Sequence, residues 1–298
     1  MTNLAQRVAV GIVAIPVIFF LCMAGGWYFF GFIALASAVA LREFYALAEA
    51  KGAKPLVILG IIGGFFVNLS FFLSFSLRFP SQASLVLVVL VVVFSLWELF
   101  RNQGSALLNL SATLFGVLYV SFLFGTLIGL RQLFVPAVFP IARYLPSAAG
   151  STEAGIAEQV HTWGGYTVMS VFVIIWICDS AAFHVGSAMG RHKLFPRVSP
   201  QKSWEGAVAG LIFAILSALA AKYLVLPFLP LAGAIIIGVI VGTIGQMGDL
   251  TESLMKRDAG VKDSSTLIPG HGGAFDRFDS VLLVAPCVYL YLCYLFLA

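Results

Sequence analysis

Residues 83–99 read ASLVLVVLVVVFSLWEL, and this stretch decides the class of fold. Apart from Ser84, Ser95 and Glu98 it is apolar throughout, and its 17 residues approach the length needed to cross a bilayer, roughly 20 apolar residues as a helix. Comparable runs stand at about 8–24, 27–41, 56–76, 107–130, 166–186, 206–229, 231–248 and 280–297. The whole chain agrees with them. Of its 298 residues 61% are apolar and 10% charged, with a mean hydropathy of +1.03, where a soluble domain would have about 45–50% and 25%. Disorder is excluded as well, because 27 Phe and long aliphatic runs demand burial. The expected fold is all-α, a polytopic membrane protein of about nine transmembrane helices.

Nine spans put the termini on opposite sides, and Lys and Arg show which side is which. Thirteen of the 17, among them Arg42, Lys54, Arg101, Lys202, Lys256 and Arg277, fall on the N-terminal side, against four on the other: Arg78, Arg131, Arg143 and Lys222. The N-terminus is therefore expected in the cytoplasm and the C-terminus outside, with the first helix retained. A net charge of +4 without a basic stripe excludes nucleic acid as a partner. Cys22, Cys178, Cys287 and Cys293 lie in apolar runs without metal spacing and read as core residues. The longest connection, 131–165, is expected outside, with Gly155–Trp163 as a short interfacial helix anchored by His161 and Trp163.

The chain changes character near residue 175. Eight of its thirteen acids lie between 179 and 279, so 1–165 reads as membrane scaffold and 166–298 as the catalytic membrane region. Asp179 follows VFVIIWIC, and a carboxylate there costs about 2.5–3.5 kcal/mol to insert. On a helix Asp249, Glu252 and Lys256 share one face, as do Asp276 and Asp279. Hard oxygen ligands from two helix ends suit Mg²⁺, which leaves its other positions to water and phosphate. Between them, Pro269–Gly273 (PGHGG) is slim enough for its N–H groups to approach a phosphate, although alone it reads more readily as a plain turn. Lys256, Arg257 and Lys262 also satisfy the inside-positive rule. Gly186 and Gly190 read as helix-packing residues, and Trp204 as an interfacial anchor.

The stretch Ser253–Asp279 resembles the signature of phosphatidate cytidylyltransferases, or CDP-diacylglycerol synthases: S-x-x-K-R, four residues, K-D, then P-G-H-G-G, two residues and D-R-x-D. Asp179–Gly186 (D-x-x-A-x-x-x-G), Ser199–Gly206 (S-P-x-K-S-W-E-G) and Gly248–Leu250 (G-D-L) are similar to other blocks of that family. Gln201 and Ser187 depart from it by removing positive charge. The resemblance implies CTP and phosphatidate as substrates, converted to CDP-diacylglycerol and pyrophosphate at the cytoplasmic face of the cell inner membrane. It implies Mg²⁺ at Asp249 and Asp276, with Asp179 at a metal and Glu205 beside it for a second cation or the outer shell. Lys256, Arg257, Lys262, Asp263, His271 and Arg277 are implied as catalytic, His271 as a positioning or pyrophosphate-contacting group. Ser199, Lys202, Ser203, Glu205, Gly272 and Gly273 are implied as substrate-binding, and a homodimer as the assembly. The alternative is an ion-coupled transporter using the intramembrane Asp residues. A CDP-alcohol phosphotransferase lacks support because D-G-x-x-A-R is absent, and a kinase because no G-K-[ST] loop occurs.

Overall fold

The computed structural model describes residues 3–74, 82–145, 152–268 and 272–297. Its helices are α1 (Asn3–Ala24), α2 (Gly26–Ala50), α3 (Val57–Ser74), α4 (Gln82–Arg101), α5 (Ala106–Gln132), α6 (Glu153–Met189), α7 (Trp204–Leu224), α8 (Leu231–Asp258) and α9 (Ala274–Leu297). A hairpin of β1 (Lys193–Phe195) and β2 (Ser199–Ser203) joins α6 to α7. Among the described residues α2 and α4 to α9 are long and apolar enough to cross a membrane, and the apolar parts of α1 and α3, Val10–Ala24 and Val57–Leu73, are shorter. Leu85, Val88 and Phe100 of α4 stand 61–84% exposed, a surface that only lipid covers without penalty. The chain is an all-α polytopic membrane protein.

Two compact units divide the chain. The first comprises Met1–Val17, Gly26–Gly129 and Met255–Phe278; the second Ile18–Gly25, Leu130–Leu254 and Asp279–Ala298. In the first, α2 forms the core, with Ile33, Leu41 and Tyr45 fully buried. Gly60 and Gly116 leave room for the Tyr45 ring, whose hydroxyl donates to the Thr113 carbonyl at 3.0 Å. A π-helical turn over Val117–Phe122 brings Ser121 within 3.1 Å of Ser37. Buried Asn109 ties three elements together: its amide donates to Glu98 Oε1 at 2.6 Å and to the Gln103 carbonyl, and its oxygen accepts from the Lys54 N–H.

In the second unit the helices meet through small residues, the usual solution where lipid removes the hydrophobic drive for helix association. A Cβ on Gly206 would lie 2.6 Å from the Ala182 carbonyl, and one on Gly242 would lie 2.7 Å from Leu211 Cα. Gly186 and Gly190 face the Ser203 side chain, so the packing role expected of them holds. Ser203 caps α7 by accepting from the Gly206 N–H, and Thr152 caps α6 in the same way.

Two local expectations are corrected. Gly155–Trp163 is no separate interfacial helix but the first turns of α6, which runs unbroken for 37 residues from its Thr152 cap. Trp163 is 7% exposed and packs against Phe139 and Phe228, so it is core and not a headgroup anchor. The hairpin was not expected; Lys193 pairs with Ser203 and Phe195 with Ser199 across it.

Replacing Asn109 by Ala leaves Glu98 with Arg101 alone and removes the acceptor of the Lys54 N–H, at a cost of about 3 kcal/mol. Thermal melting in detergent is expected to show a clear fall for Asn109→Ala and almost none for Gln103→Ala, whose side chain is exposed.

Candidate active site

The functional side chains form two groups, one in each unit. In the first unit α9 starts at Ala274 after two glycines, so the chain supplies no capping side chain of its own. Asp276, three residues past Gly273, reaches back and accepts the Gly273 N–H at 2.7 Å, half of a capping box. The same oxygen accepts from the Ser264 N–H at 2.9 Å and the Ser264 hydroxyl at 2.8 Å. The other oxygen takes the Lys256 ammonium at 2.6 Å. Both partners of that ion pair are buried, 9% and 6% exposed. Glu43 of α2 accepts the next two N–H groups, from Ala274 at 3.1 Å and Phe275 at 2.7 Å, and two hydroxyls, from Ser265 at 2.6 Å and from Ser264 at 3.0 Å, whose single proton is shared between Glu43 and Asp276. Gly272 adopts a φ of +80°, and a Cβ on it would lie 2.6 Å from an Asp276 oxygen.

In the second unit Gly248 lets α8 approach α9: a Cβ there would lie 2.6 Å from the Asp279 carbonyl. The approach groups Asp249, Glu252 and Asp279, one carboxylate oxygen of each lying within 4.8 Å of the others. With all three ionised, each pair would repel by about 3 kcal/mol at an effective dielectric of 20. Lys202, projecting from β2, approaches Asp249 at 2.6 Å. Hard oxygen donors at this spacing, with Glu252 fully buried, fit a divalent cation such as Mg²⁺.

The remaining expected residues are placed as follows. Arg257, Lys262, Asp263 and Arg277 are exposed, and Arg257 donates to the Val261 carbonyl at 2.9 Å. Asp179 lies exposed on α6 beside Cys178. Glu205 accepts the His192 ring Nδ1 at 2.6 Å and the His192 N–H, fastening the base of the hairpin. Ser203 is the α7 cap, and Ser199 opens β2. The Gly273 N–H, one of those expected to meet phosphate, donates within the protein. His271 lies outside the described residues.

The family model described as "Cytidylyltransferase family" matches residues 5–295. The chain belongs to that family. It is 35% identical over 290 residues to the phosphatidate cytidylyltransferase of Synechocystis sp., covering 96% of this chain and 95% of the relative. The Bacillus subtilis phosphatidate cytidylyltransferase is 29% identical over 300 residues, 98% of each chain. The Haemophilus influenzae protein of the same name is 40% identical over 155 residues, half of this chain and 54% of its own. Family membership thus extends well beyond the motifs quoted between Asp179 and Asp279, into α2, which contributes Glu43.

Sequence reasoning missed Glu43, Ser264 and Ser265, and it placed Asp279 on a helix face without grouping it with Asp249. Breaking a buried ion pair by deleting one partner costs about 3–5 kcal/mol. Lys256→Met is therefore expected to lower the melting temperature of the solubilised protein strongly, and Arg257→Met, at an exposed position, to leave it nearly unchanged.

Proposed function

We infer that the protein is a phosphatidate cytidylyltransferase that makes CDP-diacylglycerol and pyrophosphate from CTP and phosphatidate. The observation that carries this is the match to the family from residue 5 to 295, together with a relative of that name aligned over 96% of the chain. The transporter alternative falls with the family assignment.

A phosphate oxygen of phosphatidate bonds to the α-phosphorus of CTP as the bridging oxygen departs with pyrophosphate. The nucleophile is already ionised at neutral pH, so no side chain has to remove a proton. Both reactants are anionic, so the protein's task is to neutralise charge and align the groups in line. The exposed cations Arg257, Lys262 and Arg277, with Lys202, bind the triphosphate, the lipid phosphate and the leaving pyrophosphate. His271 is assigned as a positioning or pyrophosphate-contacting group and Asp263 as a catalytic group, both from the resemblance. The resemblance matches Asp249 and Asp276 to the family's metal ligands; both oxygens of Asp276 are taken by Lys256, Ser264 and Gly273, whereas Asp249 is gathered with Glu252 and Asp279, carboxylates that would hold a divalent cation. Bound there, Mg²⁺ would neutralise developing charge on the phosphate oxygens. Lys256 supplies Asp276 with positive charge inside the protein.

Nine spans with the N-terminus in the cytoplasm follow from the thirteen-to-four distribution of Lys and Arg. That orientation puts the loops at 191–202 and 256–277 on the side that holds CTP, at the inner membrane. The reacting groups come from 166–298 and the scaffold from 1–165. Assembly as a homodimer rests on the resemblance alone.

Purified protein in mixed micelles with labelled CTP, phosphatidate and Mg²⁺ is expected to place label in an extractable liponucleotide. Asp276→Asn is expected to lower turnover on the order of a thousandfold. Label that never enters the lipid fraction would contradict the reaction.

A further inference from the structure

We propose that Glu43 is a positioning residue for the transfer reaction: from α2 it holds both ends of the segment that brings Asp276 and Lys256 together. The inference rests on the reaction assigned above. One carboxylate bonds Ser264 and Ser265 on one side of residues 266–272 and the first two N–H groups of α9 on the other. All four donors are neutral, and Glu43 is 6% exposed. Bonds to an ionised carboxylate are stronger than those between neutral groups, and negative charge is favoured at a helix N-terminus.

Two neighbouring features fit this role. Gly273 offers no capping side chain, and a Cβ there would run into Glu43 Oε2, so the glycine makes room for the cap supplied by another helix. Phe44, the next residue of α2, packs edge-on against the fully buried ring of Phe275 at 6.1 Å. Consecutive residues of α2 thus fix the first turn of α9 by one polar and one apolar contact. Asp276 lies on that turn and bonds Ser264 and Gly273 from within the same segment. Where Glu43 places the segment, Asp276 follows, and with it the oxygen that pairs with Lys256 of α8.

Glutamine tests the charge and the acceptor count at nearly constant shape, because its NH₂ group cannot accept from two of the four donors. In the full-length protein, Glu43→Gln is expected to lower kcat about ten- to hundredfold, the cost of misplacing reacting groups by a fraction of an ångström to an ångström. The Mg²⁺ concentration for half-maximal activity should rise several-fold. Hydrogen–deuterium exchange should speed up at Ser264, Ser265 and residues 273–275 while α4 exchanges as before. Ser265→Ala, which removes one donor and keeps the carboxylate, should shift all three readouts the same way to a smaller extent. The proposal is overturned if Glu43→Gln loses activity only in proportion to lost folded protein, with unchanged Mg²⁺ dependence and exchange. Should Glu43→Gln not fold, an unaltered Ser265→Ala overturns it. A wild-type protein that makes no liponucleotide would instead refute the reaction, and the exchange data would still decide whether Glu43 holds the segment.

Discussion

A carboxylate surrounded by apolar helices must find donors or a cation, and the polar architecture of this protein follows from that constraint. Glu43 meets it with four neutral donors, and Asp276 with Lys256 and three further bonds. Asp249, Glu252 and Asp279 are gathered so closely that their mutual repulsion favours a shared divalent ion. The same physics that makes a buried acid expensive therefore sorts these acids, some into organising the segment before α9 and others into a cluster whose geometry fits a metal ion.

Backbone shape serves the same end. Gly248 allows the approach that brings Asp279 to Asp249, and Gly273 allows the approach of Glu43. A side chain at either position would collide with the group the site depends on. At the α6–α7 crossing Gly206 and Gly210 do equivalent work for packing alone. Small residues in this chain thus divide between those that let helices touch and those that let a carboxylate arrive.

Much of this was legible in the sequence, and the gaps have physical reasons. Long apolar runs such as 83–99 disclose helices because lipid rewards uninterrupted hydrophobicity. The signature acids and bases were legible because their spacing is fixed over Ser253–Asp279. Glu43 is not, because the apolar run of the second span stops at about residue 41, before Arg42 and Glu43. Continued through LREFYALA, the helix would have presented a carboxylate among apolar residues, the argument applied to Asp179. The unbroken length of α6 was hidden by the polar Gly155–His161 stretch, which a Thr152 cap nonetheless starts as helix. The hairpin left no mark because its strands are three and five residues long and mostly polar.

Acids of α8 and α9 are gathered within the protein itself, so a divalent-cation site is expected before either substrate arrives. Electron paramagnetic resonance of Mn²⁺ titrated into purified, substrate-free protein tests it most directly. Bound Mn²⁺ that Mg²⁺ displaces is expected, with loss of that binding in Asp249→Asn while the fold is retained. Equal Mn²⁺ binding by the wild type and by Asp249→Asn would contradict it.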